Sequence, residues 1–332
     1  LTSITIPGSV TSIRYSAFEG CTGLTSITIP GSVTSIRYSA FGSCSGLASI
    51  SVENGNPVYH SEGNCLIETA SKTLILGCKN SVIPSDGSVT NIGNAAFFGC
   101  TGLTSITIPD SVTNIGNAVF SGCAGLTSIT IPDSVMSIGN AVFDTTAYYN
   151  DSANWDNGVL YIGKHLIKAD ATFSGAYKIK EDTLTIANSA FEDCSGLTSI
   201  IIPDGVTSIG DNVFYGCSGL TSIIIPDSVT HIGYRTFYGC SGLTSITIPD
   251  SVTSIGNSAF DGCNLLETIY YRGTEEDWAE VSIGINNTPL SSATVYYFSA
   301  DEPALNADGT AYDGNYWYYT ESGEIAVWLK EN

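Results

Sequence analysis

Charge is what this chain of 332 residues has least of. Asp, Glu, Lys and Arg together make up 13% of it, about half of the ~25% usual in soluble domains. Cations are the scarcer sign: 11 Lys plus Arg stand against 32 Asp plus Glu, a formal net charge of −21. Phosphate backbones need a basic face, so the sequence argues against nucleic acid as a partner. An anionic membrane surface is disfavoured for the same reason, and the acidity reads as a solubility device. Long apolar runs are also missing, and none would cross a bilayer. No leader pattern precedes Leu1. The chain starts there in mid-repeat, as a trimmed or mature fragment does, so the missing leader is no argument for the cytoplasm. Ser, Thr, Gly and Asn fill the polar positions instead, and rows of uncharged hydroxyls suit exposed β-structure.

What is abundant is self-similarity. LTSITIPGSVTSIRYSAFEGCTG (Leu1 to Gly23) returns at Leu24, Leu103, Leu197 and Leu220 with a 23-residue spacing, and partial copies begin at Leu47, Leu126 and Leu243. Half-repeats end at Gly102 and Gly196. Such a period is the signature of a solenoid. In each copy Leu1, Ile4 and Ile6 give a strand with one buried face, Thr5 points outward, and Pro7 ends the strand because it cannot donate to a ladder. Val10 and Ile13 begin a second short extended piece. A Gly usually follows (Gly93, Gly116, Gly139, Gly210, Gly233, Gly256), expected to turn the corner. Asn or Ser before Ala17 and Phe18 then reads as a capped helical or 3₁₀ turn. The inward set is Leu1, Ile4, Ile6, Val10, Ile13, Ala17, Phe18 and Cys21. One coil cannot fold alone, so stability is collective. The expectation is a mainly-β leucine-rich-repeat solenoid over residues 1–298, about ten coils of 23 residues. Ile4, Ile27, Ile106, Ile200, Ile223 and Ile246 should lie in register along one sheet.

Two segments break the period and read as decorated coils. Residues 51–83 carry a hairpin from Cys65–Glu68 to Thr73–Cys78 around Ser71-Lys72, and residues 144–182 carry another around Gly163-Lys164. After Cys263 a C-terminal cap over 264–298 holds a strand at Ile269 to Tyr271, an N-capped helix start at Thr274 to Trp278 and a strand at Ala293 to Phe298. Residues 299–332 read as a polar linker followed by a hairpin tail rich in Trp and Tyr.

LTSITIPDSVTNIGNAVFSGC (Leu103 to Cys123) and LTSITIPDSVTSIGNSAFDGC (Leu243 to Cys263) meet the pattern L-x-x-I-x-I-P-x-x-V-x-x-I-G-x-x-A-F-x-x-C. By these residues the chain resembles the BspA-like (Treponema-type) bacterial leucine-rich repeats. The G-N-P-x-Y stretch at Gly55 to Tyr59 looks like that family's inserted coil, and YYRGTEEDW (Tyr270 to Trp278) is similar to its C-terminal ending. The resemblance implies a secreted or cell-surface, adhesin-like protein of host-associated bacteria. It implies no catalytic residue and no cofactor, and it names no ligand.

Eight cysteines share one repeat position: Cys21, Cys44, Cys100, Cys123, Cys194, Cys217, Cys240 and Cys263. A metal site wants clustered C-x-x-C pairs, whereas a 23-residue spacing gives a buried structural column. Cys65 and Cys78 face each other across the first hairpin, where either a disulfide or two thiols fits. Asp110, Asp133, Asp204, Asp227 and Asp250 line up after the strand Pro as solvated turn residues, since a calcium site needs converging oxygens. His60, His165 and His231 read as solvated surface histidines, and no catalytic constellation can be assembled.

The candidate binding surface is the outward strand row Thr5, Thr28, Thr107, Thr130 and Thr247, with Ile201 and Ile224 replacing Thr as an apolar pair. Beside it runs an aromatic corner of Tyr15, Tyr38, Phe98, Tyr215 and Tyr238. These features favour a non-catalytic surface module that binds a host or bacterial protein. A carbohydrate-binding surface, suggested by Trp317, Trp328 and the tyrosines, and a passive spacer are the alternatives.

Overall fold

In the computed structural model, which describes residues 2–329, the chain forms two compact units, residues 1–168 and 169–332. Leu1 and residues 330–332 lie outside the described residues. Both units are built from the same coil. The fold is a leucine-rich-repeat solenoid, mainly β, of about 13 turns. The repeat alone gave about ten.

A full coil typically contributes two short strands that pair in parallel with the same positions one repeat away. In the first unit Ser26–Ile29 pairs with Ser49–Val52, placing Ile27 opposite Ile50, and Ser105–Thr107 pairs with Ser128–Thr130, placing Ile106 opposite Ile129. A second ladder runs through Asn91–Ile92, Asn114–Ile115 and Ser137–Ile138. Between the two, the Pro carbonyl accepts from the Val three residues on, as in Val112 N–H to Pro109 O at 3.0 Å. That closes a tight turn where the ladder must stop.

The expectation of a single sheet through the six isoleucines needs correction. The buried positions hold for Ile27, Ile106, Ile200, Ile223 and Ile246, but Ile4 is half-buried and belongs to no strand. The ladder is cut into separate short sheets. Where the first insertion intervenes, the half-repeat ending at Gly102 carries no L-x-x-I-x-I strand, so a rung is missing.

That insertion is a three-strand antiparallel meander, Tyr59–Glu62, Cys65–Glu68 and Thr73–Leu76, whose last strand joins Asn91–Ile92 in parallel. In the second unit Ser174–Lys178 pairs with Gly196–Ile201. Ser222–Ile224, Ser245–Ile248, Thr268–Tyr271 and Thr294–Phe298 form one parallel sheet. The hairpin of Tyr316–Tyr319 and Ile325–Val327 docks on the last of these strands, with Phe298 opposite Trp317.

The repeat Phe residues stack in a column. Ring centroids are 5.2 and 5.7 Å apart along Phe97, Phe120 and Phe143, and 5.1 to 5.6 Å along Phe191, Phe214, Phe237 and Phe260. The Phe turn is not a capped helical turn. The residue two before Phe takes a left-handed φ in coil after coil, for example Ala118 at 52° and Ser258 at 55°. The preceding Asn does not cap its own turn either. Its Oδ1 accepts the backbone N–H of the equivalent residue one coil on: Asn94 from Asn117 at 2.7 Å, Asn117 from Asn140 at 2.8 Å. Asp211 does the same for Tyr234 at 2.7 Å. This ladder satisfies amide donors between coils, as buried and half-buried backbone requires.

The repeat Gly is also there for another reason than expected. Its φ is not left-handed; instead the backbones of successive coils touch. A Cβ on Gly139 would stand 2.5 Å from the carbonyl carbon of Gly116, and one on Gly256 2.7 Å from that of Gly233. Only a residue without a side chain permits that approach.

Candidate interaction surface

Outward strand positions follow from period-2 alternation: with Ile106 and Ile108 buried, Thr107 must face out. Thr5, Thr28, Thr107 and Thr130 are all exposed, and Thr107 lies directly opposite Thr130. The Thr28 hydroxyl bonds the Ser51 hydroxyl at 2.9 Å, continuing the row by one coil. In the second unit the same position is occupied in order by Lys178, Ile201, Ile224, Thr247, Tyr270 and Tyr296. Ile201 is 59% and Ile224 53% exposed, so neither is covered by the insertion at 144–182. Thr247 departs from expectation, being 2% exposed. Its row neighbours are Ile224 and Tyr270.

Sequence reasoning missed the continuation of this row into an aromatic cluster, because the capping coils leave the consensus. Tyr270 lies 6.0 Å from Tyr296 and 5.7 Å from Trp317, and Phe298 lies 5.1 Å from Trp317 (ring centroids). Trp317 itself is fully buried, with its indole N–H donated to the Tyr271 carbonyl at 2.8 Å. It cannot offer a face to a sugar, which removes a main support of the carbohydrate reading. Trp328 is half-buried against Tyr318.

The aromatic corner divides in two. Tyr15 and Tyr38 are 57% and 59% exposed and meet edge to face at 4.8 Å. Phe98, Tyr215 and Tyr238 are half-buried. The Tyr215 and Tyr238 rings stack at 5.0 Å, with the Arg235 guanidinium 5.0 Å from the Tyr238 ring.

The cysteine column lies in the core. All ten cysteines are free thiols, and of the eight repeat cysteines only Cys21 is not fully buried. The thiols also act as donors: Cys123, Cys217, Cys240 and Cys263 each point at the carbonyl of a Phe 26 residues earlier, at 3.0 or 3.1 Å. Burial pushes the Cys44 and Cys100 thiols up to about 11 and those of Cys123 and Cys263 to about 12.

Cys65 and Cys78 are not bonded either. The two are nonetheless buried neighbours: the Ser81 hydroxyl lies 3.6 Å from the Cys78 sulfur and also bonds the Cys65 thiol. Cys78 joins the core cluster of Leu66 and Leu76, and Cys65 is equally buried.

The five aspartates are exposed. Asp133 pairs with Lys164 at the tip of the second insertion, and Asp227 with Arg272 from the cap. Among the described residues, no group of three His, Cys, Asp or Glu side chains could hold a metal ion. His60 and His231 bond Thr69 and Ser254 near the surface. His165 corrects its surface assignment: it is fully buried, its Nε2 lies 3.1 Å from the Pro132 carbonyl, and burial lowers its pKa. It anchors the insertion turn on the coil before it.

The family model for the BspA type leucine rich repeat region, in six copies, matches residues 1–65, 70–174 and 171–278. The chain belongs to this family. Solved structures similar to this BspA-type chain include a leucine-rich cell surface protein of Faecalibacterium prausnitzii A2-165. It is 26% identical, with 85% of this chain and 90% of that one covered and a TM-score of 0.36. A leucine-rich repeat protein of T. pallidum is 25% identical over 63% of this chain and 86% of that one, with a TM-score of 0.30. The pneumococcal vaccine antigen PcpA is 19% identical over 96% and 84%, with a TM-score of 0.40. No protein of curated function matched. No helix among the described residues is long and apolar enough to cross a membrane.

Proposed function

We propose that this BspA-type repeat protein is a non-catalytic, extracellular module of a bacterial surface, adhesin-like, that binds a protein of a host or of another cell through its outward strand face. The observation that carries this reading is the pair Ile201 and Ile224, adjacent in the row and more than half exposed. Single exposed apolar residues mean little, but a contiguous apolar step on a regular presentation surface marks an interface. It runs toward the aromatic side chains of Tyr270 and Tyr296, a residue type that dominates interface energetics. Short, stiff Thr and Ser side chains around it lose little entropy on being covered.

The test is a panel of immobilised matrix proteins run beside a glycan array, with the wild-type chain and the double variant Ile201→Thr/Ile224→Thr. Saturable binding to a protein, weakened at least tenfold by the variant with an unchanged circular dichroism spectrum, is expected. Binding that survives the variant and the removal of Tyr15, Tyr38, Tyr215 and Tyr238 would place the site elsewhere. Recognition of glycans alone would replace a protein partner with a carbohydrate.

A further inference from the structure

An open cleft lies along the cap of the second unit, with exposed carboxylates on its walls. A cavity of about 740 Å³ opens between the first turn of the helix Glu275–Glu280, the strand Thr294–Phe298 and the segment 313–316. Its walls carry the carboxylates of Glu275, Glu276 and Asp313 and the rings of Tyr297, Phe298 and Tyr316. Acids in a first turn suit the helix dipole, but Asp313 and both tyrosines come from other elements. Among the described residues, no Lys or Arg forms a salt bridge with any of the three carboxylates. Glu275 and Glu276 act on both rings and Asp313 on that of Tyr316. The Tyr297 phenol is pushed up by burial and then by Glu275 and Glu276, and that of Tyr316 by burial, by Asp313 and by the same two glutamates.

We propose that this cleft binds an organic cation, an alkylammonium or guanidinium group, held by the Tyr297 and Tyr316 rings and the carboxylates of Glu275, Glu276 and Asp313. Ring faces attract cations through their quadrupole, and charge-assisted hydrogen bonds to carboxylates are stronger than neutral ones. An apolar stem on the cation would pack against Phe298. A hard metal ion is a poorer fit, since calcium asks for six to eight oxygens and gains nothing from aromatic walls. The volume lies within the range of small-ligand pockets, about 300–1,000 Å³. The same chemistry comes from a free amine or from a basic side chain of a protein. The cleft and the strand face can fail independently, because Glu275, Glu276, Asp313, Tyr297 and Tyr316 play no part in the latter.

The experiment is calorimetric titration of the full chain at low salt with N-acetyl-lysine methylamide, its neutral counterpart N-acetyl-norleucine methylamide, butylammonium chloride and calcium chloride. Saturable binding of the lysine amide, at least tenfold weaker for the norleucine amide and weakened by added salt, is expected. Equal binding of butylammonium assigns the site to amines in general; binding of the lysine amide alone assigns it to a side chain. Glu275→Gln/Glu276→Gln should weaken binding at least tenfold. Asp313→Asn, which lies outside the helix and leaves its cap untouched, should weaken it several-fold. The proposal is overturned by equal affinity for norleucine, by carboxamide variants that bind as wild type, by calcium competing out the amine, or by no saturable heat with either amine at millimolar concentration.

Discussion

At the scale of single residues, two kinds of glycine separate steric from conformational need. Gly139 faces a neighbouring backbone, so Gly139→Ala must push two coils apart, and a loss of more than about 2 kcal/mol is expected, in line with overpacking. Gly239 has φ +72°, and a methyl group there would meet nothing nearer than 3.8 Å, so Gly239→Ala should cost only about 1 kcal/mol of left-handed strain. Urea denaturation of the two variants checks the order; equal losses would refute the close-contact account. The cysteines give a pH prediction. A buried thiol raised from an ordinary value near 9 to about 11 or 12 is neutral in the folded chain while the unfolded chain ionises. Stability is therefore undiminished below pH 9 and falls as pH rises from 9 to 12, by linkage. Thiol titration at pH 8 should find little reactivity in native protein and all ten thiols after denaturation. Rapid native modification at the repeat cysteines would contradict the structure.

At the scale of elements, the C-terminal hairpin is a docked part of the second unit. Trp317 is buried among Tyr270, Phe298 and Tyr319 and hydrogen-bonded to Tyr271. Trp317→Ala should cost about 3–5 kcal/mol and release the hairpin, read as rapid amide exchange in residues 316–327. Slow exchange there in the variant would show that strand pairing alone holds it. The insertion turns are tied down differently, by exposed ion pairs such as Asp133–Lys164, which contribute little, and by the buried His165.

At the scale of the whole molecule, coils that contact only their neighbours make stability collective. We propose that residues 1–298 unfold as one array. Calorimetry of the full chain is expected to give one transition, and two independent transitions would give each unit its own cooperative core.

The coil was legible from the chain alone, because a 23-residue period fixes which side chains recur at each angle. The buried column of Ile, Val, Phe and Cys, the Pro-closed turn and the outward Thr row all follow from it. The family was legible for the same reason. Most of the candidate surface was legible too, down to the exposed pair Ile201 and Ile224. Folding added what depends on the neighbouring coil and not on the residue's own. The Asn and Gly corner looks local in sequence, yet its purpose is a hydrogen bond and a backbone contact one coil away. Thr247 is consensus but buried, which its place in the period does not announce. Cys65 and Cys78 are both free thiols, although they are buried beside the same Ser81. The aromatic cluster and the acidic cleft arise where the cap abandons the period, so no repetition announces which of its side chains will meet.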